Sequence, residues 1–223
     1  NNRGVAFQEL GQINKAIESY NKAIQLQPDY AKAYNNHGMA LLAIGQPEKA
    51  IESYKKAIQL QPDYAKAYNN LLMSLNYTSN FNFTDVITIA NQFGKFVTEK
   101  AKIQFSSYQC LSFPIKLRIG FVSGDLRNHP VGYFLESVLS CINFTMIELI
   151  AYPTTPKTDE LSKRIKPFFS IWRSIYGKDD ETAANLIHAD GIHILIDLSG
   201  HTKFNRLPMF SLKPSPIQVS WLG

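Results

Sequence analysis

The chain has 223 residues, 45% hydrophobic and 18% charged, an ordinary composition with enough apolar material for one or two small cores. No apolar stretch approaches the roughly 20 residues that a membrane helix needs. The net charge of +5 is spread over both halves without a cluster of basic residues, which argues against the concentrated basic face of a nucleic-acid binder. Cys110 and Cys141 form neither a disulfide framework nor a zinc motif. They are expected to be buried, reduced thiols, in keeping with a cytoplasmic location. The chain begins at Asn1 without a methionine, and no basic segment leads into an apolar one as in a secretory signal.

In chain order, the first signal is internal identity. Ala16–Asn36 and Ala50–Asn70 differ at one of 21 positions, Asn21 against Lys55, at an offset of 34 residues. That period, with Gly38, Ala50, Tyr54, Ala57 and Pro62 in one unit and Gly4, Phe7, Ala16, Tyr20, Ala23 and Pro28 in the one before, resembles the tetratricopeptide (TPR) repeat. Each such unit is two short antiparallel helices. Small residues let the helices approach, and Tyr54 and Ala57, three apart on one face, fill the contact. A unit cannot bury its face alone, so the units are expected to stack into a superhelix with a concave groove. The array is expected to continue before Asn1 and to rest on something after Leu75. Asn2, Asn36 and Asn70 recur at one position of successive first helices, although asparagine is a mediocre helix former. Recent duplication alone would copy them; a binding role is the other reading.

Residues 1–76 are assigned to the repeats and 77–115 to a helical cap and linker. Within the latter, 85–102 shows helical spacing of Val86, Ile89, Phe93 and Val97, with Asp85 or Thr84 as the cap. Residues 104–116 read as linker.

Residues 116–223 alternate strands and helices: strands at 117–123, 145–152, 170–176, 192–198 and 217–221, helices at 131–142, 159–169, 181–189 and 205–212. The helix at 131–142 is expected to bury Tyr133, Phe134, Val138 and Leu139. Such alternation predicts a parallel sheet covered on both faces. Ligands of open parallel sheets bind beyond the carboxyl ends of the strands. The residues there are Gly124–Pro130 after the first strand, containing Asp125 and His129, and Ser199–Thr202 after the fourth, containing His201. No G-x-G-x-x-G, P-loop, nucleophile elbow or zinc spacing is present. His188 and His193 fall in a helix and a strand and read as packing residues. Asp190 and Asp197 are left without a role.

Three segments, LRIGFVSGDLRNHPVGYFL, ADGIHILIDLSGHTKFNRL and KPSPIQVSWLG, in that order behind TPR repeats, resemble the opening of the catalytic region in the O-GlcNAc transferase/SPINDLY family. The resemblance implies an all-α TPR superhelix followed by a Rossmann-like α/β half-domain, the N-terminal half of a GT-B fold. It implies a protein O-linked N-acetylglucosaminyltransferase acting on Ser/Thr with UDP-GlcNAc as donor and no metal or other cofactor. A GDP-fucose-dependent transferase of the SPINDLY type and a non-catalytic TPR interaction module are the alternatives. His129 matches the family histidine considered as a catalytic base, and an imidazole is suited to take the proton of an attacking hydroxyl. A local helix-start role is the other reading of His129. Asp125, His201 and Thr202 are expected to line the cleft. Asn2, Asn36 and Asn70 match the family's asparagine ladder, which holds an extended polypeptide by its backbone, a task suited to carboxamides that donate and accept. The partners implied are an acceptor polypeptide and a nucleotide-sugar, without nucleic acid or membrane. The family continues into a donor-binding half, so this chain alone is expected to be inactive.

Overall fold

The 34-residue identity becomes a geometrical repeat in the computed structural model, which describes residues 1–79, 82–101 and 104–222. Helix α1 (Asn2–Glu9) pairs with α2 (Ile13–Leu26), α3 (Ala31–Ala43) pairs with α4 (Pro47–Leu60), and α5 (Ala65–Ser74) opens a third unit. Pro47 stands in the first turn of α4, where no intrahelical N–H is lost. The helix pairs are locked by one contact used twice. A Cβ on Gly38 would sit 2.6 Å from the Tyr54 ring, and one on Gly4 would sit 2.5 Å from the Tyr20 ring. Both tyrosines are fully enclosed, beside Ala16, Ala50 and Ala57.

Helix α6 (Phe83–Lys100) covers the last repeat helix as its spacing predicts. Phe93 and Val97 are buried, and Tyr68 of α5 lies against the rings of Phe93 and Phe96 at 5.8 and 6.3 Å. The expected cap moves by two residues. The helix begins at Phe83, and Asn82 Oδ1 accepts from the Thr84 amide at 3.0 Å.

The chain divides into two compact units, Asn1–Val97 and Thr98–Gly223. In the second, β1 (Leu117–Ser123), β2 (Ile147–Pro153), β3 (Ile171–Trp172), β4 (Ile194–Asp197) and β5 (Ile217–Ser220) form one parallel sheet in the order β3-β2-β1-β4-β5. Helices α7 (Pro130–Leu139), α8 (Glu160–Ile165), α9 (Asp180–Ala189) and α10 (Leu207–Phe210) connect the strands. Strand side chains alternate between two cores. Phe121, Leu149 and Ala151 pack with α7 and α8, while Val122, Ile150 and Tyr152 pack with α9 and Met209 of α10.

Three expectations are corrected. Helix α7 buries Val131, Leu135 and Leu139 and leaves Tyr133, Phe134 and Val138 exposed. Apolar residues occupy both of its flanks, and the flank that closes on the sheet is the one carrying Gly132. A Cβ there would collide with the Arg127 carbonyl. Segment 104–116 is anchored to the α/β unit rather than a plain linker. The Phe105 amide donates to the Leu212 carbonyl at 2.9 Å, and its ring stacks on His188 at 4.0 Å. His188 Nε2 donates to the Ser107 carbonyl (2.8 Å) and His193 Nε2 to that of Leu111 (3.1 Å). Finally, Cys110 is half-buried and Cys141 exposed, both as free thiols.

Gly38→Ala should cost the repeat unit about 1–3 kcal/mol by overpacking against Tyr54. Gly94→Ala, in α6 with open space around its Cβ, should gain about 0.5–1 kcal/mol from helix propensity. Urea unfolding followed by circular dichroism measures both, and a Gly38→Ala protein as stable as wild type would contradict the packing account.

Candidate functional site

The order β3-β2-β1-β4-β5 reverses direction at β1: the chain leaves β1 toward β2 on one side, and β4 returns to its other side. At such a switch point the connections leave toward opposite sides, and ligands of open parallel sheets bind beyond the carboxyl ends of the strands there. The loops after β1 and β4 lie at this place.

The β1 loop is fastened at several points. Ser123 Oγ accepts from the Asp125 amide at 2.9 Å. Arg127 donates through Nε to the Gly124 carbonyl and through a terminal nitrogen to Asp125 Oδ1, each at 3.1 Å. The Asn128 amide donates to Asp159 Oδ2 at 2.7 Å, and Ser162 Oγ donates to the Leu126 carbonyl at 2.8 Å. Asp159 and Ser162 also form the capping box of α8. Desolvation opposes the charge of Asp159, but the amides of Asn128 and Ser162 outweigh it and hold its carboxyl below the usual carboxylate range.

This frame sets His129 as the N-cap of α7. Its Nδ1 accepts from the Val131 amide at 3.3 Å and lies 3.9 Å from Asp125 Oδ2. The Asp125 carboxylate is almost fully buried, and the imidazole side chain is 37% exposed. The local helix-start role of His129 is thus present, and its ring remains partly open to solvent. With Nδ1 accepting, a neutral ring carries its proton on Nε2. In the other neutral tautomer the proton sits on Nδ1, on the side of Asp125, and Nε2 carries the lone pair.

The β4 loop folds around Asp197, which is 2% exposed. Its oxygens accept from the amides of Ser199 (3.2 Å) and Gly200 (2.9 Å). Burial pushes the pKa of Asp197 up, with those amides working against it. The Thr202 hydroxyl donates to the Ser199 carbonyl at 2.7 Å, and Asn205 donates to the Thr202 carbonyl at 2.8 Å. Phe204 holds a left-handed conformation at φ 69°, uncommon for a bulky residue. His201 and Thr202 are half-buried, and burial lowers the pKa of His201. Arg206 ties the end of the loop to α9, donating to the carbonyls of Lys178 (2.8 Å) and Asp179 (2.9 Å) and pairing with Asp180 at 3.0 Å.

The two loops touch. The Gly124 amide donates to Ser199 Oγ at 3.4 Å, and a Cβ on Gly124 would lie 2.9 Å from that of Phe204. Arg127, Ser199 and Asp159, absent from the sequence-based candidates, thus set the site's shape. Asp190 lies before β4, at the other edge of the sheet. It accepts from Tyr152 Oη (2.8 Å) and pairs with Arg173 (2.7 Å), and burial with that carboxylate raises the pKa of Tyr152. Among the described residues, no three His, Cys, Asp or Glu side chains converge to hold a metal ion, and no helix is long and apolar enough to cross a membrane.

In the repeat unit, Asn2 is exposed, Asn36 is 9% exposed and Asn70 is half-buried. Asn70 lines a cleft of about 590 Å³ with Met39, Leu42, Met73 and Tyr77.

Residues 75–223 match the glycosyl transferase family 41 profile, residues 4–45 a TPR repeat profile and residues 31–64 a tetratricopeptide repeat profile. A structure of a Thermobaculum terrenum O-GlcNAc transferase variant superposes with a TM-score of 0.87 at 34% identity, over 98% of this chain and 42% of that one. The probable UDP-N-acetylglucosamine–peptide N-acetylglucosaminyltransferase SPINDLY of Arabidopsis thaliana is 31% identical over 68% of this chain and 17% of its own length. The Hordeum vulgare protein of that name is 38% identical over 48% of this chain and 12% of its own length. The chain thus spans less than a fifth of the curated relatives it matches.

The depressed pKa of His201 has a signed consequence. As pH falls, the unfolded chain takes up the proton first, near pH 6.5. The stability contributed by neutral His201 is complete above that value and is lost as pH falls through the folded pKa. In a pH titration by NMR, the His201 ring should titrate below 6.5; a midpoint at or above that value would contradict its burial.

Proposed function

The chain belongs to glycosyl transferase family 41, and from that premise we infer that the whole protein carrying it transfers N-acetylglucosamine from UDP-GlcNAc to Ser/Thr hydroxyls of polypeptides. The observation that supports the reading is the His129–Asp125 pair on the loop after β1, at the switch point of the sheet. The names of the matched relatives support the donor and the peptide acceptor.

In the proposed reaction the acceptor oxygen attacks the anomeric carbon of the sugar. The new C–O bond forms as the bond to the β-phosphate oxygen breaks, and its electron pair leaves with UDP. The hydroxyl proton passes to Nε2 of His129, whose Nδ1–H is then directed to Asp125. A carboxylate in that position stabilises the imidazolium that forms, as in other histidine-base systems. His201 and Thr202, on the adjoining loop, line the acceptor side of the cleft. The TPR groove takes the acceptor chain, with Asn2, Asn36 and Asn70 offering carboxamides to its backbone. The free thiols at Cys110 and Cys141 suit a reducing, cytoplasmic setting.

The assay belongs to the whole protein, because the chain corresponds to 42% of the matched transferase structure. His129→Ala should lower kcat by about 10²–10⁴-fold, the usual contribution of a general base. The affinity for UDP-GlcNAc should stay within twofold of wild type. Asp125→Asn should lower kcat less, and with a shifted pH–rate profile. Wild-type rates in His129→Ala would remove this residue from the chemistry, and transfer from GDP-fucose in place of UDP-GlcNAc would overturn the donor assignment.

A further inference from the structure

The asparagines of the repeat unit form a single directed chain of hydrogen bonds. Asn70 Nδ2 donates to Asn35 Oδ1 at 2.8 Å, and Asn35 Nδ2 donates to Asn36 Oδ1 at 3.4 Å. Asn36 Nδ2 donates to Asn1 Oδ1 at 3.0 Å, and Asn1 Nδ2 donates to Asn2 Oδ1 at 3.4 Å. The short links cross from one repeat to the one before it, between residues 35 apart. The longer links join the two asparagines of one repeat. Every donor points the same way along the array.

Asn35 differs from the others in the chain. It has no exposed surface, so it cannot reach a ligand, yet both of its side-chain groups are used. It receives the Asn70 amide and holds the Asn36 oxygen, with Met39 Sδ at 3.7 Å from its nitrogen. A carboxamide offers two N–H donors and an oxygen with two lone pairs. Asn36 and Asn70 each give one donor to the chain and keep the second. A free carboxamide flips between two orientations of similar energy and so offers a donor and an acceptor interchangeably at one place. Pinned through Nδ2, its donor and acceptor sides are fixed.

We propose that Asn35 is a positioning residue of the polypeptide groove: a buried carboxamide that orients the groove carboxamides of Asn36 and Asn70 so that successive repeats present donor and acceptor in the same sense to an extended chain. The proposal rests on the reading of the groove as the acceptor site. It also accounts for a paired asparagine in each repeat where a single one would face the groove. Fixed orientation lowers the cost of ordering side chains on binding.

The test uses the whole protein and a fluorescent, unstructured Ser/Thr-containing peptide followed by anisotropy, with Asn36→Ala, Asn70→Ala and Asn35→Leu. Leucine fills the buried position without a polar group, and Leu71 and Leu72 already serve the core of the neighbouring helix α5. The expected result is a several-fold weaker Kd in all three, with the Asn35→Leu melting temperature within a few degrees of wild type. Exchange of the Asn70 side-chain amide protons, read by NMR, should be slowed for one proton in wild type and fast for both in Asn35→Leu. That signal reports whether the link to Asn35 holds the Asn70 carboxamide; a merely structural role would release it without changing Kd. Wild-type affinity in Asn35→Leu, with Asn36→Ala and Asn70→Ala weakened, would overturn the positioning role and leave the groove reading standing. Wild-type affinity in Asn36→Ala and Asn70→Ala would overturn the groove reading and this inference with it. An unfolded Asn35→Leu protein hands the decision to Asn35→Ser, for which the same outcomes hold.

Discussion

A parallel sheet must return its chain to the same edge after every strand, so its connections cover both faces and its carboxyl ends collect the loops. Here the turn of direction at β1 brings the loops after the paired strands β1 and β4 side by side, and nearly everything about the candidate site follows from how those loops are held. Gly124 has no side chain, so the β4 loop can settle against it: Phe204 lies where a Cβ would crowd it, and Ser199 Oγ accepts from the Gly124 amide. Gly132 does the same for the helix that begins at His129, bringing α7 down onto the Arg127 carbonyl. The backbone that carries His129 is thereby fixed by its neighbours, while the imidazole itself remains 37% exposed.

The repeat unit obeys a different constraint. Tyr20 and Tyr54 are each enclosed because a glycine on the facing helix yields the space. The same position of the first helix varies from unit to unit where it meets a serine of the second. Arg3 Nε donates to Ser19 Oγ and His37 Nδ1 meets Ser53 Oγ, each at 3.0 Å, while the third unit has the buried Leu71. Burial keeps the His37 pKa below its ordinary value. Thus the first two units keep the Gly–Tyr lock and a polar pair beside it, while the third has Leu71 and Leu72 at the two positions.

Much of this architecture was legible in the residues. The strict 34-residue offset announces the repeats, and the strand at 117–123 reads correctly because its apolar run serves two cores. The rim positions of Asp125, His129, His201 and Thr202 follow from strand ends alone. The buried flank of α7 was not legible, because Val131, Leu135 and Leu139 compete with Tyr133, Phe134 and Val138 for the same helical period, and a tertiary contact at Gly132 decides between them. Nor was the anchoring of Phe105, whose partners lie about 80 or more residues away in sequence. The links from Asn36 to Asn1 and from Asn70 to Asn35 are equally invisible to a local reading, since each spans one repeat plus one residue.

The proposed chemistry requires the acceptor hydroxyl to meet His129 beyond the carboxyl ends of β1 and β4. A crystal structure of the whole protein with UDP and an acceptor peptide addresses this directly. It should show a Ser or Thr hydroxyl within about 3 Å of His129 Nε2, with Nδ1 turned to Asp125. A peptide hydroxyl seated away from that rim, with Nδ1 still accepting from Val131 and Nε2 facing solvent, would contradict it.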